Sequence, residues 1–124
     1  MTALESAPNL PRVLVVEDDA DTLSMMCKLL DRVPVANVSV ASCDEARCAA
    51  RSEAFDVVIS DAGLSDGDGV DLVRELKEQY GCRTVVMSGY DAPEDGTPRG
   101  VDLWIAKPVD IAQLSRALQS LTKP

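Results

Sequence analysis

The chain has no histidine, only four aromatic residues and no pair of cysteines in CxxC spacing. Cys27, Cys43, Cys48 and Cys82 therefore offer no zinc-ligand pattern, and their expected fate is burial as small apolar side chains rather than a disulfide framework. No apolar run approaches the roughly 20 residues of a membrane span. Residues 1–11 lack the basic start and apolar middle of a signal peptide, so the expected location is cytoplasmic, without membrane contact. Basic charge is also scarce, with 12 Lys and Arg against 21 Asp and Glu and a net charge of −9. Phosphate backbones are held by clustered cations, so nucleic-acid binding by this chain is not expected. A surplus of carboxylates suits a protein that gathers cations instead.

What is present suffices for one domain. A chain of 124 residues can bury roughly two-thirds of its unfolded surface, and the apolar residues are mainly Val, Leu, Ile, Ala and Met. Residues 1–11 read as a loose polar leader, 12–121 as the domain and 122–124 as a short tail. Arg12 to Val16 reads as a strand, ended by Glu17, Asp18 and Asp19. Leu23, Met26, Cys27 and Leu30 then recur at helical spacing, with Asp18 or Asp19 as the cap.

Ala36 to Ala41 is a second strand, and Ser42 or Cys43 opens a helix to about Glu53. Residues 55–60 form a third strand, and Asp68 caps a helix that Gly81 closes. Arg83 to Met87 is a fourth strand. Between Asp91 and Gly100, Pro93, Gly96, Pro98 and Gly100 leave little room for a full helix. Asp102 to Ala106 is a fifth strand, and Ile111, Leu114, Leu118 and Leu121 mark a last amphipathic helix. This alternation predicts an α/β fold, a doubly wound five-stranded parallel sheet in the order 2-1-3-4-5, with the helix before the fifth strand short or absent.

In such sheets the functional crevice lies beyond the carboxyl ends of the strands. Those ends deliver Glu17 and Asp18, Asp61, Ser88 and Lys107. Two carboxylates about 5 Å apart repel by roughly 3 kcal/mol at an effective dielectric near 20, so three of them call for a cation. Oxygen ligands that leave room for water and a phosphoryl oxygen suit magnesium. Asp61 would be the nucleophile toward a phosphoryl donor, with Lys107 and the metal neutralising charge and Ser88 donating a hydrogen bond.

The ordered set of Glu17-Asp18, the D-x-x-L-x-x-x-D-G run at Asp61, Leu64, Asp68 and Gly69, then Ser88 and Lys107-Pro108, resembles the receiver domain of two-component response regulators. The resemblance implies a flavodoxin-like fold and Asp61 as phosphoacceptor. It implies magnesium held by Glu17, Asp18, Asp61 and the Gly63 backbone carbonyl, with Lys107 binding the phosphoryl group. A histidine kinase or histidine phosphotransfer protein would be the donor, a role that this histidine-free chain cannot fill. Ser88 and Trp104 would act as switch residues, and the protein would catalyse only its own phosphoryl transfer and dephosphorylation. The flank of the first helix around Thr22 and Met25 would meet the donor.

Other readings stand beside this one. The acidic pair could be Asp18-Asp19, Asp68 could be a cap and nothing more, and Trp104 could be a packed aromatic. Ser65 stands where the family usually has proline, which predicts a looser loop and adds no required chemical group. Leu64 to Glu75 partly imitates a calcium loop, but leucine at its first position removes a ligand. A magnesium-dependent phosphatase with Asp61 as nucleophile is the rival enzyme, although Gly63 lacks the acid/base carboxyl such enzymes use. A degenerate receiver serving as a scaffold is the third possibility. The sequence is compatible with a stand-alone module and with a piece of a longer protein.

Overall fold

The structure, a computed structural model, describes residues 10–122. Most of the expected leader, residues 1–9, lies outside them, as do 123–124 of the expected tail. Pro11 already belongs to the sheet edge, since its carbonyl accepts the Ala36 N–H at 2.8 Å.

The elements in chain order are β1 (Arg12–Val16), α1 (Ala20–Leu30), β2 (Ala36–Val40), α2 (Cys43–Ser52), β3 (Val57–Asp61), β4 (Gly63–Leu64), β5 (Gly67–Asp68), α3 (Gly69–Tyr80), β6 (Arg83–Ser88), β7 (Leu103–Ala106) and α4 (Ile111–Thr122). Five strands form one parallel sheet in the order β2-β1-β3-β6-β7, while β4 and β5 pair as a small antiparallel hairpin. The sheet order matches the expected 2-1-3-4-5 when its strands are counted alone. The hairpin, formed by the loop after Asp61, was not expected.

Alternation along the strands divides the core in two. Val13, Val15, Ile59, Val85 and Met87 pack with Met26 and Leu30 of α1 and Leu114 and Leu118 of α4. Leu14, Val16, Val58 and Val86 pack with Ala46 and Ala50 of α2 and Leu72, Val73 and Leu76 of α3. Burying such a side chain contributes roughly 1.5–3 kcal/mol, against about 0–1 kcal/mol for an exposed ion pair. The two apolar faces therefore hold the sheet, and the polar groups at its carboxyl edge are not needed for that purpose.

Helix ends follow local chemistry. Asp19 caps α1 by accepting from Thr22 N and Oγ1, Ser42 caps α2 through Glu45 N, and Asp68 caps α3 through Val70 N and Asp71 N. Gly81 ends α3 with φ 75°, a left-handed conformation that costs glycine little. Cys43 and Cys82 are buried as expected, but Cys48 is exposed and Cys27 only partly covered, and all four thiols are free. Cys48 differs because α2 turns it away from the buried stripe of Cys43, Ala46 and Ala50.

Among the described residues, 89–102 contain no helix. The far end of this connection is pinned instead. Asp102 Oδ2 accepts from Lys77 Nζ and from Thr84 N, each at 2.8 Å, and Thr84 Oγ1 donates to the Gly100 carbonyl at 2.6 Å.

Candidate functional site

The neighbouring strands β1 and β3 each stop where the apolar run meets an acid. Glu17 follows β1 and donates its N–H to the Val40 carbonyl at 3.1 Å, so the sheet itself fixes its backbone. Asp61 is the last residue of β3, paired in register with Met87, and its side chain is 15% exposed. Glu17, Asp18 and Asp61 each bring a carboxylate oxygen within 4.8 Å of the others. Asp19 instead caps α1, and it is Glu17 and Asp18 whose carboxylates converge with Asp61.

Lys107 follows β7 and spans the cup, with Nζ 2.8 Å from Asp61 Oδ1 and 3.0 Å from Glu17 Oε1. Glu17 is 1% exposed, and its second oxygen accepts from Asp19 N at 3.1 Å. A buried carboxylate needs such partners, because an unpaired one costs several kcal/mol. Burial works against the Lys107 ammonium, but hydrogen bonds to Asp61 and Glu17 outweigh it and raise its pKa above the ordinary lysine value. Lys107 therefore stays charged at neutral pH.

Three carboxylates against one ammonium leave two negative charges uncompensated. Hard oxygen donors in a cluster of this charge fit a hard divalent cation such as magnesium. The Ala62 carbonyl is taken by Gly69 N–H at 2.8 Å, so Gly63 offers the next main-chain oxygen after Asp61.

Gly69 is required by close approach rather than by turn geometry. A Cβ there would lie 1.8 Å from the Asp61 carbonyl oxygen.

Ser88 ends β6, nearly buried, and its Oγ accepts from Tyr90 N at 3.1 Å, leaving its own proton to give. Trp104, in β7 opposite Val86, donates Nε1–H to the Tyr90 carbonyl at 2.9 Å. Tyr90 thus joins the two expected switch residues, a link without any sequence signal because only its main chain takes part.

The loop after Asp61 also differs from expectation. Ser65 does contribute a group, its backbone N–H, which donates to Asp18 Oδ2 at 2.7 Å. A proline could not do so. Asp66 accepts from Cys43 N and Asp44 N at the start of α2, at 2.9 and 3.2 Å. Those bonds lower the Asp66 pKa, the bond from Cys43 most. Burial, and then the neighbouring Asp66, push the Cys43 thiol up to about 11.

The fold and the cup define a class, doubly wound α/β domains with an acidic cleft at the carboxyl edge of a parallel sheet. The profile of the response regulator receiver domain matches residues 13–119, and the chain belongs to that family. It is 28% identical to the photosynthetic apparatus regulatory protein RegA of Cereibacter sphaeroides, over 86% of this chain and 60% of that protein. It is 30% identical to the probable transcriptional regulatory protein TcrX of Mycobacterium tuberculosis, over 97% of this chain and 53% of that one. The chain thus spans little more than half the length of these relatives. A solved CheY-like receiver domain from Methylobacillus flagellatus superposes with a TM-score of 0.80 at 29% identity, over 90% of this chain and 98% of that one.

Proposed function

We propose that the protein receives a signal by accepting a phosphoryl group on Asp61, in a magnesium-dependent step, from the phosphohistidine of a histidine kinase or histidine phosphotransfer protein. The observation that carries this reading is the Lys107 ammonium 2.8 Å from Asp61, in a cup where three acids converge within 4.8 Å. An Asp61 carboxylate oxygen attacks phosphorus and forms the new O–P bond as the donor's N–P bond breaks, and the donor nitrogen keeps the electron pair. Magnesium held by Glu17, Asp18, Asp61 and the Gly63 carbonyl would supply positive charge at the phosphoryl oxygens. Lys107 exchanges its contact with Asp61 for one of those oxygens.

Ser88 supplies the read-out. To donate its proton to the phosphoryl group its hydroxyl turns and releases Tyr90 N–H, and Tyr90 is also what holds the Trp104 indole. Phosphorylation adds about −1.5 to −2 charges, enough to bias two pre-existing arrangements of this chain of contacts. A cavity of about 290 Å³ lined by Thr22, Met25, Met26, Met87, Lys107, Pro108 and Val109 lies beside the lysine. Met25 is 42% exposed there, which suits docking of the donor protein. No described helix is long and apolar enough to cross a membrane, and we assign the protein to the cytoplasm. Because Gly63 offers no acid/base group, the protein acts on its own phosphoryl group and not on outside substrates.

The test is incubation with a small phosphodonor, with and without magnesium, followed by intact mass measurement. One phosphoryl group per chain is expected, only with magnesium, and none on Asp61→Asn. Equal labelling of that variant, or continuous release of phosphate from added monoesters, would overturn the reading.

A further inference from the structure

We infer that Asp66 is a positioning residue for the metal cup, acting through the hairpin to fix Asp18. The inference rests on the reading of Glu17, Asp18 and Asp61 as a magnesium site. β4 and β5 pair Gly63 with Asp68 and Leu64 with Gly67, so Ser65 and Asp66 are the two residues at the tip of the hairpin. The two point their bonds in different directions. Ser65 N–H reaches the β1–α1 loop and donates to Asp18 Oδ2 at 2.7 Å. The Asp66 carboxylate reaches the first turn of α2 and accepts from Cys43 N and Asp44 N.

The tip therefore bridges a metal-binding acid and a helix end that plays no part in the chemistry. Two backbone donors on one carboxylate form a fork that resists rotation of the tip, and the start of α2 favours the negative charge. The same face is packed. A Cβ at Gly67 would lie 3.0 Å from the Cys43 sulfur, so the hairpin rests directly on the first residue of α2. Leu64 packs against the buried cluster that contains Cys43.

With the tip held, the Ser65 N–H has a fixed position, and fixing one oxygen of Asp18 constrains where the other can point. If Asp66 is removed, the tip keeps its packing but loses its polar anchor, and the Ser65 N–H that orients Asp18 is no longer held in place. Partners that orient metal-binding carboxylates commonly govern affinity without touching the ion.

The test is calorimetric titration of magnesium chloride into the full chain, comparing wild type with Asp66→Ala, Asp66→Asn and Ser42→Ala. Ser42 caps the same end of α2 through Glu45 N, so Ser42→Ala weakens the helix without touching the hairpin and is the matched control. Asp66→Ala is expected to weaken magnesium binding on the order of tenfold, as loss of an orienting partner does. Asp66→Asn, with one acceptor oxygen left, should fall between it and wild type. Ser42→Ala should bind as wild type does while melting at a similarly lowered temperature. Wild-type affinity in Asp66→Ala, or equal weakening in Ser42→Ala, would overturn the inference alone. A wild-type chain that binds no magnesium would overturn the metal-site reading and this inference with it.

Discussion

At Gly69 the Asp61 carbonyl oxygen occupies the space where any other residue would place its first side-chain carbon, 1.8 Å from the ideal Cβ position. The contact involves backbone on both sides, so neither partner can swing aside, and Gly69 N–H is simultaneously bonded to the Ala62 carbonyl. Gly69→Ala must push α3 away from β3 or displace Asp61 itself. The expected cost is about 1–3 kcal/mol, the range for overpacking a well-filled site. The melting temperature should fall by several degrees, about 4–8 °C per kcal/mol in the smallest domains and about half that in larger ones. Thermal unfolding followed by circular dichroism checks this, and phosphodonor labelling of the folded variant should fall with it. The sequence marks Gly69 as the end of the D-x-x-L-x-x-x-D-G run but does not show why glycine is needed there, because the atom that excludes a side chain belongs to Asp61 across the turn, while Gly63 has open space around it.

The connection between β6 and β7 shows what replaces a helix when the chain cannot build one. Pro93, Pro98 and the positive φ of Gly96 and Gly100 keep residues 89–102 irregular, and the Thr84–Asp102–Lys77 network fastens the end that enters β7. Burial alone would raise the Asp102 pKa, but bonds from Lys77 and Thr84 outweigh it and bring it below the ordinary aspartate value. A carboxylate lowered on folding contributes stability in full above its unfolded pKa, about 3.9, and loses it as pH falls through the lower folded value. This group should therefore leave the melting temperature unchanged between pH 7 and 5 and contribute to its fall below about pH 4. In Asp102→Ala, which strands the Thr84 N–H, stability at pH 7 should drop by about 1–3 kcal/mol. Its acid decline should also be shallower than that of wild type, and melting curves across pH for both proteins check the pair. The missing helix was legible in the density of Pro and Gly, and the five strands in their β-branched runs. The β4–β5 hairpin was not, because it is held by packing of Leu64 and Gly67 and bonds of Asp66 to the start of α2, far away in the chain, and turn composition carries no record of that.

Across the whole molecule, charge and fold are set against each other at one edge of the sheet. A net charge of −9 makes every additional acid costly. Yet the strand order brings Glu17, Asp18 and Asp61 into one cup with Lys107 as the cation bonded to two of them. The apolar faces bear that strain, since the core clusters on both sides of the sheet are complete without the cup. Removing the lysine should expose the conflict. In Lys107→Ala, Glu17, which is 1% exposed in the native packing, loses its charged partner, and breaking a buried pair in this way costs about 3–5 kcal/mol. Magnesium then has three uncompensated charges to neutralise instead of two, so its effect on stability should be larger in the variant than in wild type. A ligand bound only by the native state contributes about 2.7 kcal/mol at 100 times its dissociation constant, so millimolar magnesium should raise the melting temperature of both proteins. Sodium chloride matched for ionic strength should do much less, because screening acts weakly on partly buried charges. Melting both proteins with magnesium, with sodium and with neither decides the matter. An equal rise with sodium would mean that the cup responds to ionic strength and not to a bound ion, and a smaller magnesium shift in Lys107→Ala would mean that Lys107 helps to hold the ion instead of competing with it.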